Sequence, residues 1–230
     1  MARSTGRIGL VVFDMAGTTI EDAGQVPEAF TKVLLRHGIA ITEAELSALR
    51  GASKRDAIRH FAGLQAQANL EARTDEIFTD FRNHLSALFR DGGVKPVAGA
   101  SATFAFLRAK GLKVALNTGF DRTITDLVVD AVGWRDTVDA VVCGDDVAHG
   151  RPAPDLIFKA MECTGIADAG TVMAVGDTVL DLRAGRNAGA GVVVGVLSGA
   201  HGRAQLEAEP HDNLIGSVAE LPALFGANGI

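Results

Sequence analysis

Gly9-Leu10-Val11-Val12-Phe13-Asp14-Met15-Ala16-Gly17-Thr18-Thr19 is the stretch that decides the fold of this chain. The run from Gly9 to Phe13 is apolar without alternation, the habit of a strand buried on both faces of a parallel sheet. It delivers a carboxylate, Asp14, to its end, and a small glycine-containing turn follows. Such a turn lets backbone N–H groups approach an anion closely, and the threonine hydroxyls add donors. Taken alone, Asp14 could equally be a carboxylate capping the loop after a strand, so the rest of the chain has to decide.

Four more runs of this kind lie downstream: Lys113 to Asn117, Ala140 to Cys143, Val172 to Val175 and Val192 to Val196. Segments of helical period separate them, at Ala98 to Lys110, Arg122 to Val132 and Pro154 to Thr164. Strand–helix alternation argues an open α/β fold with a Rossmann-like parallel sheet and chemistry at the carboxyl ends of its strands. Residues 21–91 break the alternation. Phe30, Val33 and Leu34 share one helical face and Ile77, Phe81, Leu85 and Leu88 another, while Thr42 with Glu45 reads as a capping box. Asp91-Gly92-Gly93 has hinge composition. The expected organisation is a core of residues 1–20 and 92–230, with a small all-helical cap, residues 21–91, inserted after the first strand.

Composition narrows the function classes. Of 230 residues, 47% are hydrophobic and 22% charged, an ordinary globular mixture rather than a disordered one. The net charge is −6 and no Lys/Arg stripe is present, so no nucleic-acid partner is expected. The apolar runs fall well short of a membrane span, and the first residues lack the pattern of a signal peptide; a cytoplasmic protein with no membrane partner is expected. Cys143 and Cys163 sit in apolar contexts without metal-type spacing and read as reduced core thiols.

Three further pieces carry chemistry. Val175-Gly176-Asp177-Thr178-Val179-Leu180-Asp181 puts two carboxylates four apart at a strand end, a hard oxygen site suited to Mg2+ when Asp14 stands across the sheet edge. One of the two could also cap the helix that follows. Asn117-Thr118-Gly119 offers a hydroxyl and backbone donors to a phosphoryl group. Gly150-Arg151-Pro152-Ala153-Pro154-Asp155 places a fixed cation before a helix. Singly, Thr118 is more often a turn residue and Arg151 a solvated charge; four such pieces in this order are more specific.

The ordered set resembles the haloacid dehalogenase superfamily of phosphotransferases over essentially the whole chain. The resemblance implies that Asp14 is a covalent nucleophile forming an aspartyl-phosphate. It implies that Mg2+ is held by Asp14, the Ala16 backbone carbonyl and Asp177, with Asp181 nearby, and that Thr118 and Arg151 bind phosphoryl oxygens. Phosphatases of the superfamily mostly carry a second Asp two residues after the nucleophile as general acid, where this chain has Ala16. Losing such an acid forfeits about 10²–10⁴-fold in rate for a poor leaving group.

Asp-x-Ala-Gly-Thr together with arginine at 151, rather than lysine, resembles the phosphonoacetaldehyde hydrolase (phosphonatase) branch, whose cap supplies a lysine that condenses with the substrate aldehyde. Gly51-Ala52-Ser53-Lys54 matches its Gly-x-x-Lys pattern and makes Lys54 the candidate. Cleaving a C–P bond leaves electrons on carbon, which a neighbouring imine accepts, so no acid is needed at position 16. The lysine must first be neutral, against an ordinary pKa of about 10.4. Ser53 and Asp56 read as a short capping box that sets Lys54 in a first helical turn, where the helix disfavours an ammonium; Arg50 and Arg55 would add repulsion and Asp56 oppose it. Arg50, Ala57 and Phe120 stand where that branch has Met, His and Tyr.

Thr18, Gly119 and Arg50 are the expected substrate-binding residues, and the expected partner is a small phosphonate or phosphate. C–P cleavage is the preferred activity. Phosphate-monoester hydrolysis of the phosphoglycolate type is the alternative, and a non-catalytic phosphate-binding module the remote one. The apolar faces around Phe30 and Phe81 are expected to pack within the cap, or else to pair two caps in a homodimer.

Overall fold

The computed structural model of the protein describes residues 7–65 and 69–227. Strand β1 (Leu10–Asp14) is followed by four helices: α1 (Gln25–Arg36), α2 (Glu43–Ala48), α3 (Lys54–Gly63) and α4 (Leu70–Gly92). The chain then alternates through α5 (Ala100–Ala109), β2 (Lys113–Asn117), α6 (Arg122–Ala131), β3 (Ala140–Val142), α7 (Asp155–Thr164), β4 (Val172–Gly176), α8 (Val179–Asn187) and β5 (Val192–Val196). It finishes with α9 (Arg203–Glu207), β6 (Asn213–Ile215) and α10 (Leu221–Ala227). The sheet order is β3-β2-β1-β4-β5-β6 and every pairing is parallel.

β1 sits at the centre, and the strand order reverses around it. Ligands of open α/β sheets bind at such a switch point, outside the carboxyl ends. All five residues of β1 are buried. Val11 and Phe13 face a cluster with Phe104 and Leu107 of α5 and Ile124 and Val128 of α6. Leu10 and Val12 face the opposite cluster, with Leu156 and Ile157 of α7 and Leu182 of α8. Burial on both faces is why these strands show no polar alternation. β6 is a short edge strand that its sequence did not announce: only three residues pair, and Asn213 and Leu214 are half-buried.

The helices between β1 and α5 bury the faces that their periodicity defines. Phe30, Val33 and Leu34 of α1 pack against Ile77, Phe81 and Leu85 of α4, with the Phe30 and Phe81 rings 4.5 Å apart. Those rings are spent on packing within the four-helix unit. Thr42 and Glu45 form the reciprocal capping box of α2. Two expectations need correction. Gly92 belongs to the last turn of α4 and the chain turns at Gly93 (φ +74°), so the helix runs through part of the expected hinge. Cys163 is exposed on the outer face of α7; Cys143 alone is a buried thiol, pushed up to about 11 by burial.

Candidate active site

The register of the sheet assembles the site. Asp14, the last residue of β1, lies opposite Asn117, the last of β2, and Phe13 lies opposite Val175 of β4. Asp177 therefore emerges beside Asp14. Oxygens of Asp14, Asp177 and Asp181 lie within 4.8 Å of one another, and all three residues are buried. Hard oxygens converging at this spacing are the donor set that a hexacoordinate divalent cation such as Mg2+ takes.

Each carboxylate is aimed by its neighbours. Asp177 is fully buried; one of its oxygens accepts the Thr18 hydroxyl at 3.0 Å and the other the Ala200 N–H at 2.6 Å. The backbone approaches so closely here that a Cβ on Gly17 would stand 2.4 Å from the Asp177 carboxylate, and Gly17 also needs its φ of +92°. Burial raises the Asp177 carboxyl well above the usual range, and the nearby Asp14 and Asp181 charges raise it further. Burial likewise pushes Asp14 up to about 6, with Arg151 opposing and Asp181 adding.

Asp181 does two things at once. It completes the capping box of α8, taking the Thr178 N–H at 3.0 Å and the Thr178 hydroxyl at 2.5 Å on one oxygen. Its other oxygen pairs with Arg151 Nε at 2.9 Å. The two readings of the Asp177/Asp181 pair, cap and charge site, thus meet in one residue.

Arg151 is buried at the centre of the cluster. It pairs with Asp14 at 2.7 Å through Nη1 and donates through Nη2 to both the side chain and the backbone carbonyl of Asn117. Burial works against this guanidinium, but Asp181 and Asp14 outweigh it and hold it firmly charged. Thr118 is buried in the same wall, and its hydroxyl oxygen accepts the Phe120 N–H at 3.2 Å. Its own proton is left for a ligand.

Across from this floor stands α3. Ser53 caps it by accepting the Asp56 N–H at 3.3 Å, and Lys54 is its first residue. The return half of the expected capping box does not form, because the Asp56 side chain is exposed instead of bonding back to Ser53. Lys54 N–H donates to the Gly119 carbonyl at 3.0 Å, and its Nζ donates to the Ala52 carbonyl at 3.2 Å and lies 5.2 Å above the Phe120 ring. Burial holds the amine below its ordinary value, with Asp14 opposing and Arg151 assisting. The assisting cation is therefore Arg151 and not Arg55, which is engaged with Glu71 and Asp75.

A cleft joins these groups: Asp14, Ala16, Thr118, Arg151 and Asp177 from below and Arg50, Gly51, Lys54, Gly119 and Phe120 around the rim. Thr18 is a correction. Its hydroxyl is turned onto Asp177 and away from the cleft, so it orients a carboxylate instead of meeting substrate. Sequence reading missed Asp22 and the apolar wall of Val26, Phe30, Leu46 and Leu49, because nothing local marks a cap residue as facing the core. It also missed His201, which accepts the Val179 N–H at 3.0 Å on Nδ1 and reaches the Ser47 carbonyl of α2 at 3.4 Å through Nε2.

This arrangement can hold a divalent cation and a phosphoryl group over a carboxylate, with an amine facing them. Residues 8–189 match the haloacid dehalogenase-like hydrolase family. The chain is 32% identical over 206 residues to a phosphonoacetaldehyde hydrolase of Bacillus cereus (strain AH187), covering 82% of this chain and 77% of that one. Another Bacillus cereus phosphonoacetaldehyde hydrolase (strain ATCC 14579) is 30% identical over 223 residues, covering 90% and 83%. Among solved structures, a phosphonoacetaldehyde hydrolase-like protein from Oleispira antarctica superposes with a TM-score of 0.85 at 23% identity over 97% of this chain and 93% of its own. The β-phosphoglucomutase of Clostridium difficile shares the fold as well, with a TM-score of 0.80 at 16% identity over 93% of each chain. With its carboxylate-tipped central strand, acidic triad and matched residues 8–189, the chain belongs to the haloacid dehalogenase-like hydrolases.

Proposed function

We propose that this hydrolase cleaves the C–P bond of a small phosphonate carrying an adjacent carbonyl, phosphonoacetaldehyde or a relative. The observation that carries the reading is Lys54: an amine half-buried in the cleft, held below its ordinary value by burial, facing Asp14 across a site whose position 16 offers no acid. The phosphonoacetaldehyde hydrolases among its relatives support it.

In this mechanism the neutral amine of Lys54 keeps hydrogens for the Ala52 carbonyl and directs its lone pair at the substrate carbonyl. Condensation expels water and leaves an imine. Asp14, ionised above about pH 6, attacks phosphorus. The C–P electron pair moves onto carbon as an enamine, so no alkoxide forms and Ala16 costs nothing. Arg151 and Thr118 hold the phosphoryl oxygens as charge redistributes. The enamine takes a proton at carbon to become an imine again, and one water hydrolyses the aspartyl-phosphate and another the imine, returning both side chains. Asp14, the Ala16 carbonyl and Asp177, with Asp181 behind them, would hold Mg2+, which when bound offsets the negative charge of the phosphoryl group.

Phosphate-monoester hydrolysis is the second reading, favoured by Arg50, Ala57 and Phe120 where phosphonatases differ. Phosphate release from phosphonoacetaldehyde and from phosphoglycolate, with Mg2+, in wild type and Lys54→Arg, separates the two. Release from phosphonoacetaldehyde should vanish in the variant, and borohydride should trap substrate on Lys54 of the wild type. Release from the ester alone, undiminished by the substitution, would refute C–P cleavage.

A further inference from the structure

We infer that the phosphonate taken by this site carries a carboxylate beyond its carbonyl, and that Arg50 recognises it. The inference rests on the C–P reading and deepens it. Arg50 lies in the turn after α2, half-buried, and lines the same cleft as Lys54 and Asp14. Its guanidinium makes no ion pair or hydrogen bond among the described residues. The other guanidinium of the cleft, Arg151, lies on its floor bonded to Asp14, Asp181 and Asn117, where the phosphoryl group is placed.

On the cleft side the wall beside Arg50 is Val26, Pro27, Leu46 and Leu49, which offer it no side-chain acceptor; on the outer side it borders an open surface pocket with Glu28 and Glu43, of which Glu28 is paired with Lys32 and neither bonds Arg50. Asp22 also lines the cleft, but its charge is felt at Lys54, where it favours the ammonium. A cation set against apolar side chains loses hydration and regains it only when an anion arrives. An aldehyde brings none. The phosphoryl group is already assigned to Arg151 and Thr118 over Asp14, so the anion left for Arg50 is a second one on the same molecule. A planar guanidinium suits a carboxylate in two-point contact.

The smallest member of this class is the 2-oxo acid phosphonopyruvate. Its keto carbon would condense with Lys54, losing water. C–P cleavage would pass the phosphoryl group to Asp14 and leave the electron pair on carbon as an enamine. Protonation at carbon and hydrolysis then give pyruvate and phosphate, one water being consumed overall.

Arg50 also lies just past the end of α2, where a cation favours a helix. The test therefore reads selectivity, which a merely structural role would not move. The values of kcat/KM for phosphonopyruvate and phosphonoacetaldehyde are measured with Mg2+ for wild type, Arg50→Met and Arg50→Lys. Wild type should prefer phosphonopyruvate. Arg50→Met should lower the ratio of the two by about 10- to 100-fold, the worth of a charge-assisted hydrogen bond, and Arg50→Lys should recover part of it. A ratio unchanged in Arg50→Met, or turnover of phosphonoacetaldehyde alone, overturns the inference while leaving C–P cleavage standing. Turnover of neither phosphonate, with hydrolysis of phosphoglycolate, overturns both. Should Arg50→Met fail to fold, the wild-type preference and Arg50→Lys decide.

Discussion

Ala16 is the residue whose smallness says most about the chemistry. It lines the cleft beside Asp14 without offering a proton. Ala16→Asp would restore a general acid and should raise phosphoglycolate hydrolysis by about tenfold or more, with no gain in C–P cleavage, as phosphate-release assays on both substrates would show. Asp14 makes a prediction of a different kind. Burial first, with Arg151 opposing, moves its carboxyl from 3.8 to about 6. A folded value above the unfolded one means that the fold binds the extra proton. The contribution of this group to stability is full below about pH 4 and is lost as the pH rises through about 6. In chelator, urea midpoints should show Asp14→Asn gaining on wild type across that window. A constant difference between the two would contradict the burial argument.

At the scale of elements, the closeness of the cap to the core is written in two glycines. Gly51 adopts φ +87°, and a Cβ there would stand 2.3 Å from the Thr178 hydroxyl at the cap of α8. A Cβ on Gly119 would stand 2.4 Å from the Ala52 carbonyl, the group that receives the Lys54 amine. Arg151 reaches the Gly51 carbonyl at 3.3 Å, so the α2–α3 turn is tied directly to the buried guanidinium beside Asp14. Gly51→Ala should push this turn off the core and lower kcat/KM by about 10²-fold, as displacements near 1 Å at a reacting centre do. Circular dichroism of the variant should remain that of wild type. Retained activity would show that the turn can give way without moving Lys54.

For the whole molecule, the prediction concerns the cost of gathering three carboxylates in one buried place. Asp14 and Asp177 are both raised by burial, Asp181 adds to each, and the Asp14 charge raises Asp177 further. A cation that binds only the folded arrangement stabilises it by mass action. Millimolar Mg2+ should therefore raise the melting temperature, more at about pH 7.5 than at about pH 5 because the ligands must be deprotonated. Asp177→Asn should abolish most of that rise. An equal response in the variant would place the ion elsewhere.

What the sequence alone determined was whatever is local. Unalternating apolar runs marked five of the six strands because burial on both faces demands them, and helical periodicity outlined α1 and α4 because each buries one stripe. Asp14, Thr118, Arg151 and Asp177 were legible because each is positioned by its own strand end or loop. What only the tertiary structure decided depends on contacts between distant segments. Thr18 meets Asp177 across 159 residues, so its hydroxyl serves the acidic triad and not the cleft. The two cysteines separate because only Cys143 lies under other chain. Lys54 owes its lowered value chiefly to burial, which belongs to the packed cap and core and not to any residue beside it in the chain. Asp22 and the apolar wall of Val26, Phe30, Leu46 and Leu49 entered the site for the same reason: the folding of the cap over the sheet edge, not a pattern along the chain, chose which residues before and within α1 and α2 line the cleft.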